Sequence, residues 1–329
     1  MRKLLIFTVL CCAILAVGCK KDSEVAKLKQ ARYYTDIGQY SKALPLYSSI
    51  IKVNPNSYAA YTNRGIVYDI LSNKDFENRK KHIANAEKDY IKAAQINPYS
   101  VEALNNLGAF YIDQRKYFNA IIYLNEAVRL APNYYSALVN RGIAYYNAGE
   151  GIKAYNDFHK AISINPEGWL AYFNRGLYYY DIGDYLSAAF DFSRVLALRP
   201  DYGRAYLERG RALKMQDMYA DAMENFEQAV ALNPNDPLAH YYLGEMYLKD
   251  GDYEAALSEL TKSKELDPVF VPTYELMGDV YAIEDAVQAA ANYIIAKKMD
   301  PANARRYDAK IRAMLTDEGR ARVVERRFL

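Results

Sequence analysis

The sequence contains 329 residues, of which 51% are hydrophobic and 25% charged, with 42 basic and 40 acidic side chains. This composition can fill a hydrophobic core, and it excludes a disordered, a collagen-like or a multispanning membrane protein. The formal net charge of +2 offers no electrostatic case for nucleic-acid binding, which usually requires a strong basic excess.

The chain begins with a segment that predicts export. Arg2 and Lys3 precede an apolar run over residues 4–18, which is shorter than the roughly 20 residues of a transmembrane helix. A positive start, a short apolar stretch and small residues at its end are typical of a cleaved secretory signal. We therefore expect residues 1–18 to be a signal peptide.

The residues Leu15–Cys19, with the sequence Leu-Ala-Val-Gly-Cys, resemble the lipobox of bacterial lipoproteins. The resemblance implies that Cys19 carries acyl chains such as palmitate and becomes the mature N-terminus, with residues 19–26 as a lipidated leash. Lys20, in place of the aspartate that retains lipoproteins at the inner membrane, favours the periplasmic face of the outer membrane, and surface exposure stays open. The alternative is an ordinary cleaved signal with an incidental cysteine.

Three residue types then recur with a common period of 34 residues. A fixed period of this length indicates a repeat architecture. The marker glycines are Gly65, Gly108, Gly142, Gly176, Gly210, Gly244 and Gly278. The marker alanines are Ala43, Ala86, Ala120, Ala154, Ala188, Ala222, Ala256 and Ala289. The marker prolines are Pro55, Pro98, Pro132, Pro166, Pro200, Pro234, Pro268 and Pro301.

The repeat at residues 169–202 shows the pattern most fully, and it resembles the tetratricopeptide repeat. The small Gly176 and Ala188 are expected to let two antiparallel helices approach closely, and Gly183 is expected to permit the turn between them. The resemblance implies an all-α fold, a right-handed α-solenoid (superhelix) of about eight helix-turn-helix repeats, in which most of the 33 tyrosines are core or rim residues. The matching residues are Tyr172, Gly176, Tyr179, Gly183, Tyr185, Ala188, Phe192 and Pro200.

The period places the boundaries of the repeats and of the segment that follows them. Nine extra residues between Gly65 and Ala86 predict a charged protrusion in the second repeat. Residues 304–329 are basic and predict a C-terminal capping helix, which solenoids require. The repeats fill residues 27–303, approximately as 24–57, 58–100, 101–134, 135–168, 169–202, 203–236, 237–270 and 271–303.

The sequence shows no motif for catalysis, metal binding or cofactor binding. Its three histidines are far apart, and none of the zinc-protease, nucleophile-elbow or phosphate-loop patterns occurs. We therefore expect no catalytic residue, no metal and no cofactor, and we do not expect an enzyme.

Stacked two-helix repeats line a concave groove with their first helices, and an asparagine lies two residues before the marker glycine in four successive repeats. A carboxamide can both donate to and accept from a peptide unit, as in the asparagine ladder that this series resembles. The alternative, that these side chains only cap or space neighbouring helices, stays open. The four residues are Asn63, Asn106, Asn140 and Asn174.

An arginine follows the asparagine position in four repeats, and an acid or amide lies 16 residues after three of these arginines. Where Leu107 replaces the arginine, Tyr123 replaces its partner. The matched change predicts structural pairs between the two helices of each repeat. The expected pairs are Arg141 with Asp157, Arg175 with Asp191, Arg209 with Asn225 and, across the nine-residue insertion, Arg64 with Asp89.

The fifth repeat adds an apolar stripe to the predicted groove, because four residues spaced by three, four and three lie on one helix face. Exposed apolar patches usually mark contact surfaces; burial by an adjacent repeat and a self-dimer are the alternatives. Basic and then acidic residues follow along the groove, ending at Glu275 and Asp279. The predicted groove residues beyond the asparagines are Tyr146, Leu170, Phe173, Leu177, Tyr180, Arg204 and Arg211.

Taken together, these features predict a membrane-tethered adaptor that binds protein or peptide partners in the bacterial cell envelope. The chain is similar to lipid-anchored tetratricopeptide adaptors that dock cell-wall hydrolases and proteases, and to lipoproteins that pilot pilus-secretion machinery. The alternative is an envelope glycan or small-ligand binder that uses the tyrosine-rich groove. Homo-oligomers stay open.

Overall fold

The computed structural model describes residues 23–316, and every regular element in this range is a helix. The expected all-α repeat solenoid is therefore confirmed. Within the described range, no helix combines the length and apolar character that crossing a membrane requires. The predicted signal, the lipobox with Cys19 and the end of the basic tail lie outside the described residues.

The chain divides into two compact units, the first ending at Pro166 and the second beginning at Glu167. Unit 1 contains four helix pairs in chain order. Their bounds are 23–36 for α1, Tyr40–Val53 for α2, Tyr58–Lys74 for α3, Arg79–Ile96 for α4, Val101–Asp113 for α5, Tyr117–Leu130 for α6, Tyr135–Asn147 for α7 and Gly151–Ile164 for α8.

Unit 2 also contains four helix pairs, followed by a short 3₁₀ turn and a final helix. The bounds of the pairs are Trp169–Asp181 for α9, Tyr185–Leu198 for α10, Gly203–Lys214 for α11, Tyr219–Leu232 for α12, Pro237–Asp250 for α13, Tyr253–Leu266 for α14, Val271–Tyr281 for α15 and Ala286–Met299 for α16. The final helix, α17, covers Ala304–Leu315 and packs on α16. This helix lies in the segment for which the sequence predicts a cap.

A marker glycine faces a large buried side chain in the second helix of its repeat. A Cβ atom built on Gly176 would lie 2.8 Å from Cε1 of Phe192, and one built on Gly142 would lie 2.5 Å from Cε1 of Phe158. Both phenylalanines are fully buried. The close approach predicted from Gly176 is therefore a contact between backbone and aromatic ring.

The insertion in the second repeat lengthens both of its helices. The helices α3 and α4 contain 17 and 18 residues, whereas α5 and α6 contain 13 and 14. In the turn between them, Asp75 accepts a hydrogen bond from the backbone N–H of Asn78 at 3.2 Å and lies 3.1 Å from Nε2 of His82. The predicted protrusion is thus a pair of lengthened helices, and Asp75 connects residues of the turn between them.

Substitution of Ala188 by leucine tests the close packing of a repeat. Ala188 is completely buried, and extra methylenes in a well-packed core usually cost about 1–3 kcal/mol. We expect Ala188→Leu to lower the free energy of unfolding by this amount, as measured by urea denaturation. The matched control is Ala220→Leu, the same change at an exposed position in α12, which should alter stability little. Equal stability of both variants would contradict the assigned packing.

Candidate protein-interaction surface

The predicted arginine pairs are confirmed, and they connect the two helices of a repeat. Nε and Nη2 of Arg141 each donate to Asp157 at 2.7 Å, and Arg175 makes the same two-point contact with Asp191 at 2.7 and 2.8 Å. Nε of Arg209 donates to Asn225 at 2.7 Å. Such bidentate pairs orient both side chains, so these arginines hold the scaffold together.

The same arginines also reach the second helix of the preceding repeat. Nη1 of Arg141 donates to Oδ1 of Asn125 at 3.1 Å, and Nη1 of Arg64 donates to Oγ of Ser48 at 3.0 Å. In both cases the acceptor lies 16 residues before the arginine. Each guanidinium therefore joins three helices, a role that the sequence pattern revealed only in part.

The four predicted ladder asparagines do not use their amide groups in one common way. Nδ2 of Asn63 donates to the carbonyl of Ala59 at 2.6 Å, and Nδ2 of Asn174 donates to the carbonyl of Leu170 at 2.8 Å. In these two residues, the donor half of the carboxamide is bonded to the same helix. A bound peptide would thus find mainly their acceptor oxygens.

In the third and fourth repeats, the asparagines bond to each other. Nδ2 of Asn140 donates to Oδ1 of Asn105 at 2.9 Å, and Nδ2 of Asn105 lies 3.5 Å from Oδ1 of Asn106. Asn105 was not among the predicted ladder residues, although its position next to Asn106 was a signal in the sequence. The binding role of this series stays a prediction.

The apolar stripe of α9 is partly covered within unit 2. Phe173 is only 4% exposed: its ring packs edge-on against Tyr202 at 5.3 Å, and the guanidinium of Arg204 lies 5.4 Å from its centre. Phe173 is therefore buried partly by Tyr202, at the end of its own repeat, and partly by Arg204 of the adjacent repeat, so burial by a neighbouring repeat, which the sequence left as an alternative, contributes. Leu170 and Leu177 are half-buried.

The basic residues that follow the stripe are largely neutralised by neighbours. Arg211 lies 4.6 Å from the ring centre of Tyr180 and donates to the buried Glu208 at 2.5 Å. Lys214 donates to both carboxylate oxygens of Glu245, at 2.7 and 3.0 Å. Arg204 differs from them, since its side chain is 60% exposed.

The acidic residues at the end of the predicted groove are paired with basic residues of the same chain. Nζ of Lys310, on α17, donates to Glu275 at 2.8 Å and to Asp279 at 2.6 Å, and Arg306 also contacts Glu275. Glu275 and Asp279, the predicted acidic end of the groove, are therefore paired within the chain. The basic terminal helix neutralises both of them.

Large apolar side chains are exposed on the second helices of three repeats, outside the predicted groove. On α6 and α8, Phe118, Ile122 and Ile152 are 73%, 66% and 75% exposed. On α10, Leu186 and Phe190 are 73% and 64% exposed. All five lie two residues before or after a marker alanine, and this regular position was the sequence signal.

Two carboxylates in unit 1 lack a cation. Asp69, on α3, is half-buried, and Asp113, on α5, is exposed; among the described residues, neither forms an ion pair. Burial and the negative charge of Asp113 raise the pKa of the Asp69 carboxyl from its usual value to about 6. Unpaired acids with raised pKa values are common at functional sites.

The sequence models of the tetratricopeptide repeat match residues 28–75 and 211–268 in one form and residues 101–134 and 169–202 in another. Together the matches cover more than half of the chain, in both units. Repeats of this kind bind peptide or protein partners.

Two solved structures show the same fold. A chain of the APC/C hetero-tetramer Cut9-Hcn1 is 18% identical with a TM-score of 0.65, over 76% of this chain and 48% of that one. Pseudomonas aeruginosa pilF is 20% identical with a TM-score of 0.59, over 64% of this chain and 97% of that one.

A curated human relative, Protein O-mannosyl-transferase TMTC3, is 26% identical over 118 residues. The match covers 36% of this chain and only 12% of the relative. Tetratricopeptide repeats are generally non-catalytic scaffolds, and the mannosyl-transferase name describes the much longer relative.

In the third repeat, Leu107 and Tyr123 replace the arginine and its acidic partner, and this natural replacement suggests a test of the arginine pairs. Removing one partner of a buried ion pair usually costs about 3–5 kcal/mol, and Asp157 is only 5% exposed. We expect Arg141→Leu to lower the free energy of unfolding by about 3 kcal/mol. The double change Arg141→Leu with Asp157→Tyr should recover part of the loss. A double variant that is less stable than the single one would contradict the pairing.

The pKa of Asp69 predicts a pH-dependent effect on stability. Because its folded-state pKa lies near 6, above the unfolded value of about 3.9, the folded state is destabilised as pH rises through 6 and the carboxyl ionises. Asp69→Asn cannot ionise, and it should raise the melting temperature at pH 7.5 but hardly at pH 4. Asp36→Asn, at an exposed site in unit 1, is the control. A gain that is equal at both pH values would refute the ionisation argument.

Proposed function

Because the chain belongs to the tetratricopeptide repeat family, whose members bring proteins together, we propose that it is a membrane-tethered adaptor of the bacterial cell envelope. It assembles or recruits envelope proteins and has no catalytic activity of its own. The Leu15–Cys19 motif supports the tether, and Lys20 favours the periplasmic face of the outer membrane.

The exposed second-helix residues carry the adaptor proposal. Soluble monomers rarely expose contiguous apolar patches unless the patches make contacts, and Leu186 and Phe190 lie on one face of α10, four residues apart. They border a groove of about 490 Å³ whose other walls include Tyr206, Leu213 and Met218. A partner helix or strand with apolar side chains fits this surface.

The predicted groove offers fewer accessible contact groups than the sequence suggested. In unit 2, Phe173 is covered and the cations are mostly paired, so the accessible groups on these first helices include Arg204 and, in part, Leu170 and Leu177. The proposal therefore assigns the main apolar contact to the second helices. The groove contributes selectivity through polar groups.

Partner capture tests the adaptor proposal. The protein is crosslinked in native membranes, purified and analysed by mass spectrometry, for the wild type and for Leu186→Ser with Phe190→Ser. We expect the double variant to lose partners that the wild type retains. The control is Ile182→Ser with Val287→Ser, which changes two exposed apolar residues elsewhere in unit 2. Equal capture by all three proteins would exclude the second-helix surface.

Membrane fractionation tests the tether separately. Cys19→Ala removes the only sulfur in the lipobox position, and each acyl methylene contributes about 0.8 kcal/mol to membrane binding. We expect the variant to leave the membrane fraction while Cys12→Ala, within the predicted signal, does not. Retention of Cys19→Ala in the membrane would refute lipid anchoring.

A further inference from the structure

The charges of the chain are distributed unevenly between its two units. Residues 23–166 contain 18 lysines and arginines against 12 aspartates and glutamates, whereas residues 167–316 contain 16 against 24. The described part of unit 1 therefore carries a formal charge of +6, and the described part of unit 2 carries −8. Charge distributions of this kind steer association with charged partners.

A groove of about 540 Å³ in the second repeat carries part of the positive charge. Lys88 and Lys92 line it from α4, beside the ion pair of Arg64 and Asp89, whose charges cancel. Both lysines are exposed, and among the described residues neither forms an ion pair. This surface, hereafter the basic groove, thus presents two unpaired ammonium groups.

The acids of α4 do not offset its cations, because both are bound to cations of other helices or turns. Nζ of Lys116 donates to Oε1 of Glu87 at 3.1 Å, and Arg64 donates to Asp89 at 2.7 and 2.8 Å. The cations of α4 therefore have no acid of their own helix available to them. Beyond the two lysines of the basic groove, the exposed cations of this helix without an ion pair in residues 23–316 are Arg79, Lys80 and Lys81.

The sixth repeat has a groove of the opposite charge. It is the groove of about 490 Å³ beside the exposed apolar pair of α10, and α12 lines it with Asp221 and Glu224. Both acids are exposed, and neither forms an ion pair within the part of the chain that the structure describes. Arg209 also lines this groove and binds the neutral Asn225. Two acids against one arginine leave this surface, hereafter the acidic groove, with a net negative charge.

The two grooves occupy the same place in their repeats. Tyr61 and Tyr206 each lie four residues before a marker glycine, and Lys88 and Glu224 each lie two residues after a marker alanine. Because stacked repeats share one local geometry, these positions present opposite charges in the same structural setting. The basic and acidic grooves are therefore complementary in charge.

Exposed apolar side chains lie beside both grooves, in opposite order along the chain. In unit 1, α4 with the basic groove comes before α6 with Phe118 and Ile122, and the ion pair of α4 with Lys116 joins it to the start of α6. In unit 2, α10 with Leu186 and Phe190 comes before α12 with the acidic groove. An antiparallel approach of two copies therefore brings lysines to acids and one apolar pair to the other.

We propose that the chain self-associates, with the basic groove of one copy docked against the acidic groove of a second copy. Lys88 and Lys92 face Asp221 and Glu224 of the second copy, and α6 faces α10 of the second copy. Each copy carries both grooves, so the contact joins different surfaces of identical chains. The inference rests on the proposed function in treating the second helices as a contact surface, and it names a second copy of the chain as an occupant.

Sedimentation equilibrium measures this contact in the full chain with Cys19→Ala, which removes the predicted lipid site and leaves both grooves unchanged. At about 0.1 M salt, where the Debye length is about 10 Å, we expect the average mass to rise above that of the monomer as the protein concentration increases. At about 1 M salt, where the Debye length is about 3 Å, the association constant should fall at least tenfold.

Charge reversal identifies the two grooves. In the same background, Lys88→Glu with Lys92→Glu should weaken association at least tenfold, and Asp221→Lys with Glu224→Lys should do the same, because like charges then face each other. An equimolar mixture of the two double variants should associate again, since each variant carries a groove that is complementary to one of the other.

The matched control is Lys29→Glu with Arg32→Glu, which makes the same change in net charge at two exposed positions of α1. It should alter the association constant less than twofold. Because the control and the basic-groove variant have the same net charge, a difference between them cannot come from overall repulsion.

Four results would overturn the contact. These are a wild type that stays monomeric at every concentration, reversal variants that associate as the wild type does, a mixture of the two variants that stays monomeric, and a control that is weakened as much as the variants. Binding of a monomeric wild type to phosphatidylglycerol vesicles, lost in Lys88→Glu with Lys92→Glu, would assign the basic groove to a membrane instead.

Self-association and the adaptor proposal can fail separately. The reversal variants keep Leu186 and Phe190, and partner capture is scored on proteins other than the chain itself. Capture of another protein by a monomeric chain would leave the adaptor proposal standing alone, and self-association without such capture would leave only the contact between copies.

Discussion

The structure depends on the contact between a marker glycine in the first helix of a repeat and a large side chain in the second. In the fourth, fifth and sixth repeats, a Cβ on the glycine would come within 2.5 to 2.8 Å of a phenylalanine ring, so any other residue would push the helices apart. This contact sets the spacing of the pair, and the spacing brings Arg141 to Asp157 and Arg175 to Asp191 with bidentate geometry. Packing and ion pairs are thus two consequences of one constraint.

The sequence predicted these features because each is local to a repeat and recurs. The repeat period located the glycines, and the joint change to Leu107 and Tyr123 revealed the pairing of Arg141 with Asp157. The backbone conformation of the turns was also predicted in part from the glycines. Gly183 has the expected positive φ of 82°, but Arg115 and Asp217 adopt positive φ values of 55° and 59° without a glycine, so the residue type alone does not identify every turn.

The candidate site was harder to predict, because its accessibility depends on neighbouring repeats. Phe173 has the spacing of an exposed stripe, yet Tyr202, at the end of its own repeat, and Arg204, in the next repeat, cover it. Asn174 has the type and place of a ladder residue, yet its amide donates to its own helix. Asp69 and Asp113 are distant in sequence and occupy different positions relative to their marker glycines, so no repeat pattern relates them.

A single hydroxyl distinguishes the core position of Tyr90 and Tyr293 from the phenylalanine or leucine of the other described repeats that carry a marker glycine. Buried ring atoms satisfy the packing in both cases, and the hydroxyl of Tyr293 adds a hydrogen bond from the core to the carboxylate of Asp279. In the eighth repeat the chain completes the arrangement with Lys310, which also secures the terminal helix. In the second repeat the hydroxyl of Tyr90 makes no hydrogen bond among the described residues, and the first helix that follows carries the acid Asp113. The same core position therefore ties the terminal helix to α15 and α16 in unit 2, whereas among the described residues of unit 1 it provides no such link.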